Sequence, residues 1–202
     1  VTGLATNGLM IAVLAAHAVA WAVPAAGAGL HESETVVLVA KRRFRDPLYA
    51  ETIVIARPIG QDVHVGLILN KPTEVSLAQA FPGHGPSLGV RQPLYLGGPA
   101  EANAVFALVA SHASPGRGSM QLSQDLFLVI AKDTVDRVIE TAAGHARFFA
   151  GAVVWRQGEL AQELKNGIWH VLEPDPELVL PQKTEDLWQR LVHRAELRED
   201  GI

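Results

Sequence analysis

The chain has 202 residues and is 49% hydrophobic, enough for one domain with a sizeable core. Its formal net charge is −4, so no overall basic field would hold a nucleic acid. It has no cysteine, which excludes disulfides, thiolate catalysis and Cys-based zinc or iron–sulfur sites.

The first segment differs from everything after it. No Asp, Glu, Lys or Arg occurs before His31 and Glu32, and residues 9–23 are apolar except for His17. Pro24 follows, then Ala25, Ala26, Gly27, Ala28 and Gly29. An apolar run followed by a small-x-small pattern reads as a secretory leader, with Ala26-Gly27-Ala28 as its recognition site. No Lys or Arg precedes the run, and residues 9–28 are roughly long enough to span a bilayer, so an uncleaved anchor competes with the leader. A packed N-terminal helix is the third reading. The organisation expected is 1–28 as leader or anchor and 29–202 as one domain. A genuine leader implies the periplasm or cell envelope, and its absence the cytoplasm. Membrane contact is expected only if the segment stays attached.

Residues 35–40 are β-branched and read as a buried strand. Lys41, Arg42, Arg43 and Arg45 follow at once, either as an anion or nucleic-acid contact or as a solvated turn. Asp46-Pro47 marks a turn. Residues 52–56 and 63–69 read as strands joined by a loop over 58–62. His64 alternates among apolar residues, with no second His at metal spacing. Residues 76–81 read as a short helix, and 82–93, rich in Gly and Pro, as a loop holding His84. Residues 94–96, 104–109 and 126–130 read as strands, with a polar loop over 111–119. Asp133 is placed to cap a helix whose stripe is Val135, Val138, Ile139 and Ala142, ended by Gly144. Residues 148–155 form a late strand. A short helix over 159–164 follows, with Leu160 and Leu164 turned inward. Asn166-Gly167 is a turn before a strand at 168–172. Pro174 and Pro176 bracket a loop. Thr184 is placed to cap a last helix lined by Leu187, Trp188, Leu191 and Val192. Strands with helices interspersed, without strict alternation, predict an α+β domain on a mixed, largely antiparallel sheet.

Two strand ends have similar chemistry. Residues 66–72 end at Asn70, Lys71 and Pro72, and residues 95–99 end at Gly97, Gly98 and Pro99. Asn and Gly accept left-handed backbone, and proline stops a ladder. Together they form a candidate binding rim, with Trp155, Gly158 and Glu159 as neighbours if the late strand joins it. The alternative is that they serve fold geometry alone. No catalytic set stands out. Ser111 beside His112 is adjacency and not a triad, and Gly97-Gly98-Pro99 lacks phosphate-loop spacing. His84, His112, His170 and Glu159 are scattered and would need the fold to bring them together.

Taken in order, several pieces resemble the YqgE/AlgH family of bacterial proteins. They are Asp46-Pro47-Leu48-Tyr49, residues 66–72 and 95–99, Trp155 to Leu160 with Glu163, Trp169, and Glu185-Asp186-Leu187-Trp188. The resemblance runs from about Val36 to Val192. It implies a bifurcated sheet wrapped into a pseudo-barrel with a few flanking helices, no cofactor and no established enzyme activity. Some members are described as transcriptional regulators, and no helix-turn-helix is visible here. The chain departs from the family at Lys41-Arg42, Val109, Gly151 to Val154 and Glu159 to Ala161. The reading that follows is a non-enzymatic binding or regulatory protein. Its partner would be another protein or a small molecule, with no direct nucleic-acid contact. The alternative is a small-ligand protein, flavin included, by analogy with split barrels.

Overall fold

The computed structural model describes residues 34–180 and 183–199. The leader or anchor expected over 1–28, and the first residues of the expected domain at 29–33, lie outside the described residues. Among the described residues the chain runs β1 Val36–Ala40, β2 Ile53–Gly60, β3 Val63–Ile68, β4 Pro72–Ser76, α1 Leu77–Ala80, β5 Pro93–Leu96, β6 Ala100–Ala110, β7 Ser119–Ser123, β8 Leu126–Val129, α2 Lys132–Ala142, β9 Ala146–Trp155, α3 Glu159–Lys165, β10 Trp169–Leu172, α4 Pro176–Val179 and α5 Leu187–Glu199.

The strands form a curled sheet in the order β10-β1-β2-β3-β9-β6-β8-β7, a half-barrel with helices at its flanks. Every pair along that path is antiparallel. The expected α+β class and bifurcated sheet hold, and among the described residues β5 makes the one parallel pairing, with β9. The continuous apolar run of β1 has a simple cause, because both faces of the sheet are covered. Val37 and Val39 pack with Ile55, Leu67, Phe149 and Trp188 on one face. Leu38 and Ala40 pack with Val54, Ile68, Trp155 and Trp169 on the other. That second face continues under α2, where Val135, Val138 and Ile139 cover Val109 and Phe148. Truncating Phe148 or Phe149, both essentially unexposed, would cost about 3–5 kcal/mol.

β9 organises the sheet. One of its edges pairs with β6. Its other edge pairs first with β5, at Phe149 and Ala150, then with β3, at Val153 to Trp155. The sheet forks between those two stretches. Gly151, with φ +70°, interrupts β9 there, and the β6–β9 register shifts so that residues 101–104 of β6 stand opposite it alone. Phe149 and Ala152, three positions apart, therefore share a face that strict alternation would deny them.

Several boundaries differ from the sequence reading. β4 and β7 were not expected: PTEVS and SMQLS carry few apolar residues, as strands at the margins of a sheet often do. Each pairs on a single side. Leu160 is buried, but Leu164 points outward with 37% of its surface exposed. Asp133 lies within the first turn of α2, whose N-cap is Ala131. Thr184 accepts the Leu187 N–H through its carbonyl, and α5 starts after Asp186 at φ +58°. The expected loop between Pro174 and Pro176 runs directly into α4. The helix α5 is seated by Trp188, whose indole N–H donates to the Ala40 carbonyl at 2.8 Å.

Candidate functional site

The two proline-ended turns do meet. The Leu96 N–H donates to the Lys71 carbonyl at 2.9 Å, and Pro72 faces Tyr95 across β4 and β5. The Ile68 N–H donates to the Gly97 carbonyl at 2.9 Å. The meeting point is closed, however. A Cβ on Gly97 would lie 2.1 Å from the Gly151 carbonyl oxygen, and one on Gly98 would lie 2.2 Å from the Ala152 carbonyl carbon. Both glycines are buried at the fork, so strands β5 and β9 touch backbone to backbone. Asn70 is also committed. Its Oδ1 accepts the Ile53 N–H at 2.8 Å and its Nδ2 donates to the Glu51 carbonyl at 2.8 Å, tying the end of β3 to the start of β2. Of this group, Pro72 and Pro99 are exposed and Lys71 is half-buried.

Trp155, Gly158 and Glu159 lie elsewhere, toward the opposite end of β3. Trp155 pairs with His64, while Asn70 lies two residues beyond the end of that strand at Ile68. Here the structure builds a cleft of about 430 Å³, walled by Tyr49, Val154, Trp155, Glu159, Glu163 and Trp169. The order of elements explains it. β9 ends at Trp155, Gly158 turns the chain with φ +79°, α3 carries Glu159 and Glu163 on adjoining turns, and β10 returns through Trp169. The Glu159 carboxylate accepts the Arg156 N–H at 2.7 Å, which fixes the turn into the helix.

Glu163 is the centre of the cleft. Its Oε2 accepts the Trp155 indole N–H at 2.9 Å and the Trp169 indole N–H at 2.8 Å. Two neutral donors on one carboxylate oxygen orient the group and stabilise its charge. Oε1 has no hydrogen-bond partner among the described residues. The indoles are only 3% and 4% exposed, so they act as a rigid backing while the carboxylates face the cleft. The Trp169 ring is held in turn by Phe44 and Tyr49, which meet it edge-on at 5.5 and 6.4 Å. Burial pushes the Tyr49 phenol above its ordinary value, and the negative charges of Glu163 and Asp46 add to the shift. Tyr49 is therefore a neutral hydroxyl at the mouth of an acidic cleft.

The other sequence candidates do not converge. The His84 Nδ1 lies 2.6 Å from the Ser87 hydroxyl, and the His112 Nδ1 lies 2.7 Å from Asp125 in full solvent exposure. Ser111 turns to the Ala113 carbonyl, and His170 is buried on β10. No group of three metal-ligating side chains occurs among the described residues. The basic cluster is spent on packing. Arg42 reaches Glu196 at 3.1 Å and lies 5.7 Å from the Trp188 ring, and Arg43 donates to the Gly167 carbonyl at 2.8 Å.

Tyr49 and Glu163 escaped the sequence reading as parts of a site, and Arg147 as a buried charge. Glu163 was visible only as a family-motif residue. Its role depends on two indoles six and eight positions away meeting at one oxygen, which no spacing rule anticipates. Arg147, preceding Phe148 in β9, is a buried cation 4.5 Å from the Tyr95 ring. Burial pulls its guanidinium below the ordinary arginine value, with Tyr95 opposing the shift.

The sequence model of the AlgH-like family (DUF179) matches residues 37–199. The chain belongs to this family. A UPF0301 protein of Chlorobaculum tepidum is 28% identical over 159 residues, covering 77% of this chain and 83% of that relative. One from Streptomyces coelicolor is 26% identical over 162 residues, covering 78% and 84%. Among solved structures, protein DIP2367 of Corynebacterium diphtheriae aligns with a TM-score of 0.67 at 24% identity, over 80% of this chain and 86% of that one. The AlgH protein of Pseudomonas aeruginosa, a UPF0301 protein, aligns with a TM-score of 0.64 at 21% identity, over 86% and 92%. These likenesses establish the half-barrel fold.

Proposed function

We propose that this AlgH-like chain is a non-enzymatic binding protein whose site is the Glu163 cleft. The group it takes is an ammonium or guanidinium, presented by a basic side chain of a protein partner or by a small amine. The carrying observation is the double donation of Trp155 and Trp169 to Glu163 Oε2. It fixes a carboxylate in advance, so little ordering entropy remains to be lost when a cation arrives. Glu159 adds a second negative charge, and Tyr49 a neutral hydroxyl able to accept a hydrogen bond from the bound cation. A flavin draws no support from this cleft, because its phosphate would meet two carboxylates.

The test is a titration with N-acetyl-arginine amide and N-acetyl-lysine amide followed by tryptophan fluorescence. Saturable quenching is expected for the native protein, and the Glu163→Gln variant should bind at least about tenfold more weakly, because the amide still accepts from the indoles but carries no charge. Equal binding by both proteins would reject the reading. A regulatory role would follow from a basic partner and not from contact with DNA. An envelope location rests on the leader reading. N-terminal sequencing of the native protein tests it: a start near Gly29 supports export, and an intact Val1 rejects cleavage.

A further inference from the structure

A second cleft lies at the other end of β9 and has the opposite charge. It holds about 310 Å³ between the last residues of β6, the loop after it and α2. Its apolar floor is Val109, Val138 and Ala142, and its polar walls include Arg137 and His145. Val109 and Val138 belong to the packed core beneath α2, so the floor is rigid.

Arg137 is set in place without being neutralised. Its Nη1 donates to the Pro115 carbonyl at 3.3 Å on an exposed side chain, and Gly116 lies beside the same nitrogen. A Cβ at Gly116 would come within 2.7 Å of Nη1, and φ there is +132°, so a glycine is what lets the loop cradle this group. Among the described residues Arg137 forms no ion pair. On the same helix, Asp136 is occupied by Lys132 at 2.6 Å. A guanidinium carries five N–H donors, and the Pro115 carbonyl takes one of them. His145 lines the cleft as well, just beyond the end of α2. The carbonyl end of α2 lies beside Ala142 and repels negative charge, so an anionic head sits against Arg137 and an apolar body points toward Ala142 and Val109.

We infer that this cleft is a binding site for a small organic oxyanion, a carboxylate or phosphate monoester on an apolar body. The head is held by Arg137, and the body by Val109, Val138 and Ala142. The site is separate from the Glu163 cleft and does not depend on it. The experiment is an NMR titration of the full ¹⁵N-labelled chain with benzoate, phenyl phosphate and inorganic phosphate. Amide shifts confined to residues around Ser111, Gly116 and Arg137, saturating below ~10 mM for benzoate or phenyl phosphate, support the site. The tighter of those two names the head group. In the Arg137→Gln variant the apparent affinity should fall about tenfold or more, with shifts elsewhere in the spectrum unchanged, and Arg137→Lys should recover part of it. The inference is overturned if no localised shifts occur, if Arg137→Gln binds as well as the native chain, or if inorganic phosphate binds as tightly as both organic anions.

Discussion

The glycine fork and the Glu163 cleft lie on the same strand, three or four residues apart, and they are built in opposite ways. At the fork, backbone fills all the space. Gly97, Gly98 and Gly151 allow strands to approach so closely that a single added methyl would collide with a carbonyl. At the cleft, large side chains hold space open. Two buried indoles stand behind a carboxylate and leave one of its oxygens unpaired among the described residues. The comparison separates residues that determine the fold from residues that offer chemistry, although both sets carry the family resemblance.

That difference can be broken most forcefully at the fork. Gly97→Val should cost about 3 kcal/mol or more, because the collision is with the Gly151 backbone and no side chain can move aside. Urea unfolding would measure it, and a near-neutral result would mean that the fork has slack. Asn70→Ala comes next. It leaves the Ile53 N–H without its acceptor and should cost about 1–3 kcal/mol in the same experiment. If both hold, the rim that looked like a contact surface is a joint between strands.

The cleft should respond in function more than in stability. Glu159→Gln keeps the acceptor for the Arg156 N–H and removes one charge, so it should weaken binding of N-acetyl-arginine amide by a smaller factor than Glu163→Gln. Tyr49 sharpens the electrostatic side. Its folded pKa is raised, chiefly by burial and then by Glu163 and Asp46. The contribution to stability is therefore complete below the ordinary phenol range and is lost as pH rises through the folded value. Glu163→Gln should lower the titration midpoint of Tyr49, seen as the phenolate absorbance that Tyr49→Phe abolishes. The midpoint should stay above the ordinary phenol value, since burial remains. The smallest effect belongs to Lys71→Ala, expected to change stability by no more than about 0.5 kcal/mol, since its recorded contact is through the backbone carbonyl.

Much of the fold was legible because the buried strands have no alternative. Residues 36–40 and 53–56 are apolar without interruption, and a sheet covered on both faces is the economical way to bury them. β4 and β7 were not legible because marginal strands take their definition from a neighbour's hydrogen bonds more than from their own side chains. Leu164 was misread for a related reason. Helical spacing puts it on the same stripe as Leu160, but a helix of seven residues is buried only where it meets the sheet. At the site, Trp155 and Glu159 were named from the sequence, while Glu163 and Tyr49 stayed in the background as motif residues. What joins them is a reversal through α3 that brings Trp169 back beside Trp155, and that is a property of the tertiary fold.

The central claim is that Glu163 holds two indoles through one oxygen and presents its charge to a cation. The most direct measurement follows the Trp155 and Trp169 indole N–H resonances by ¹H–¹⁵N NMR while N-acetyl-arginine amide is added. The two resonances should shift together and saturate in the native protein, and in Glu163→Gln the same shift should need at least about tenfold more ligand. Indole resonances that stay fixed in the native protein, or that move equally in the variant, would contradict the claim.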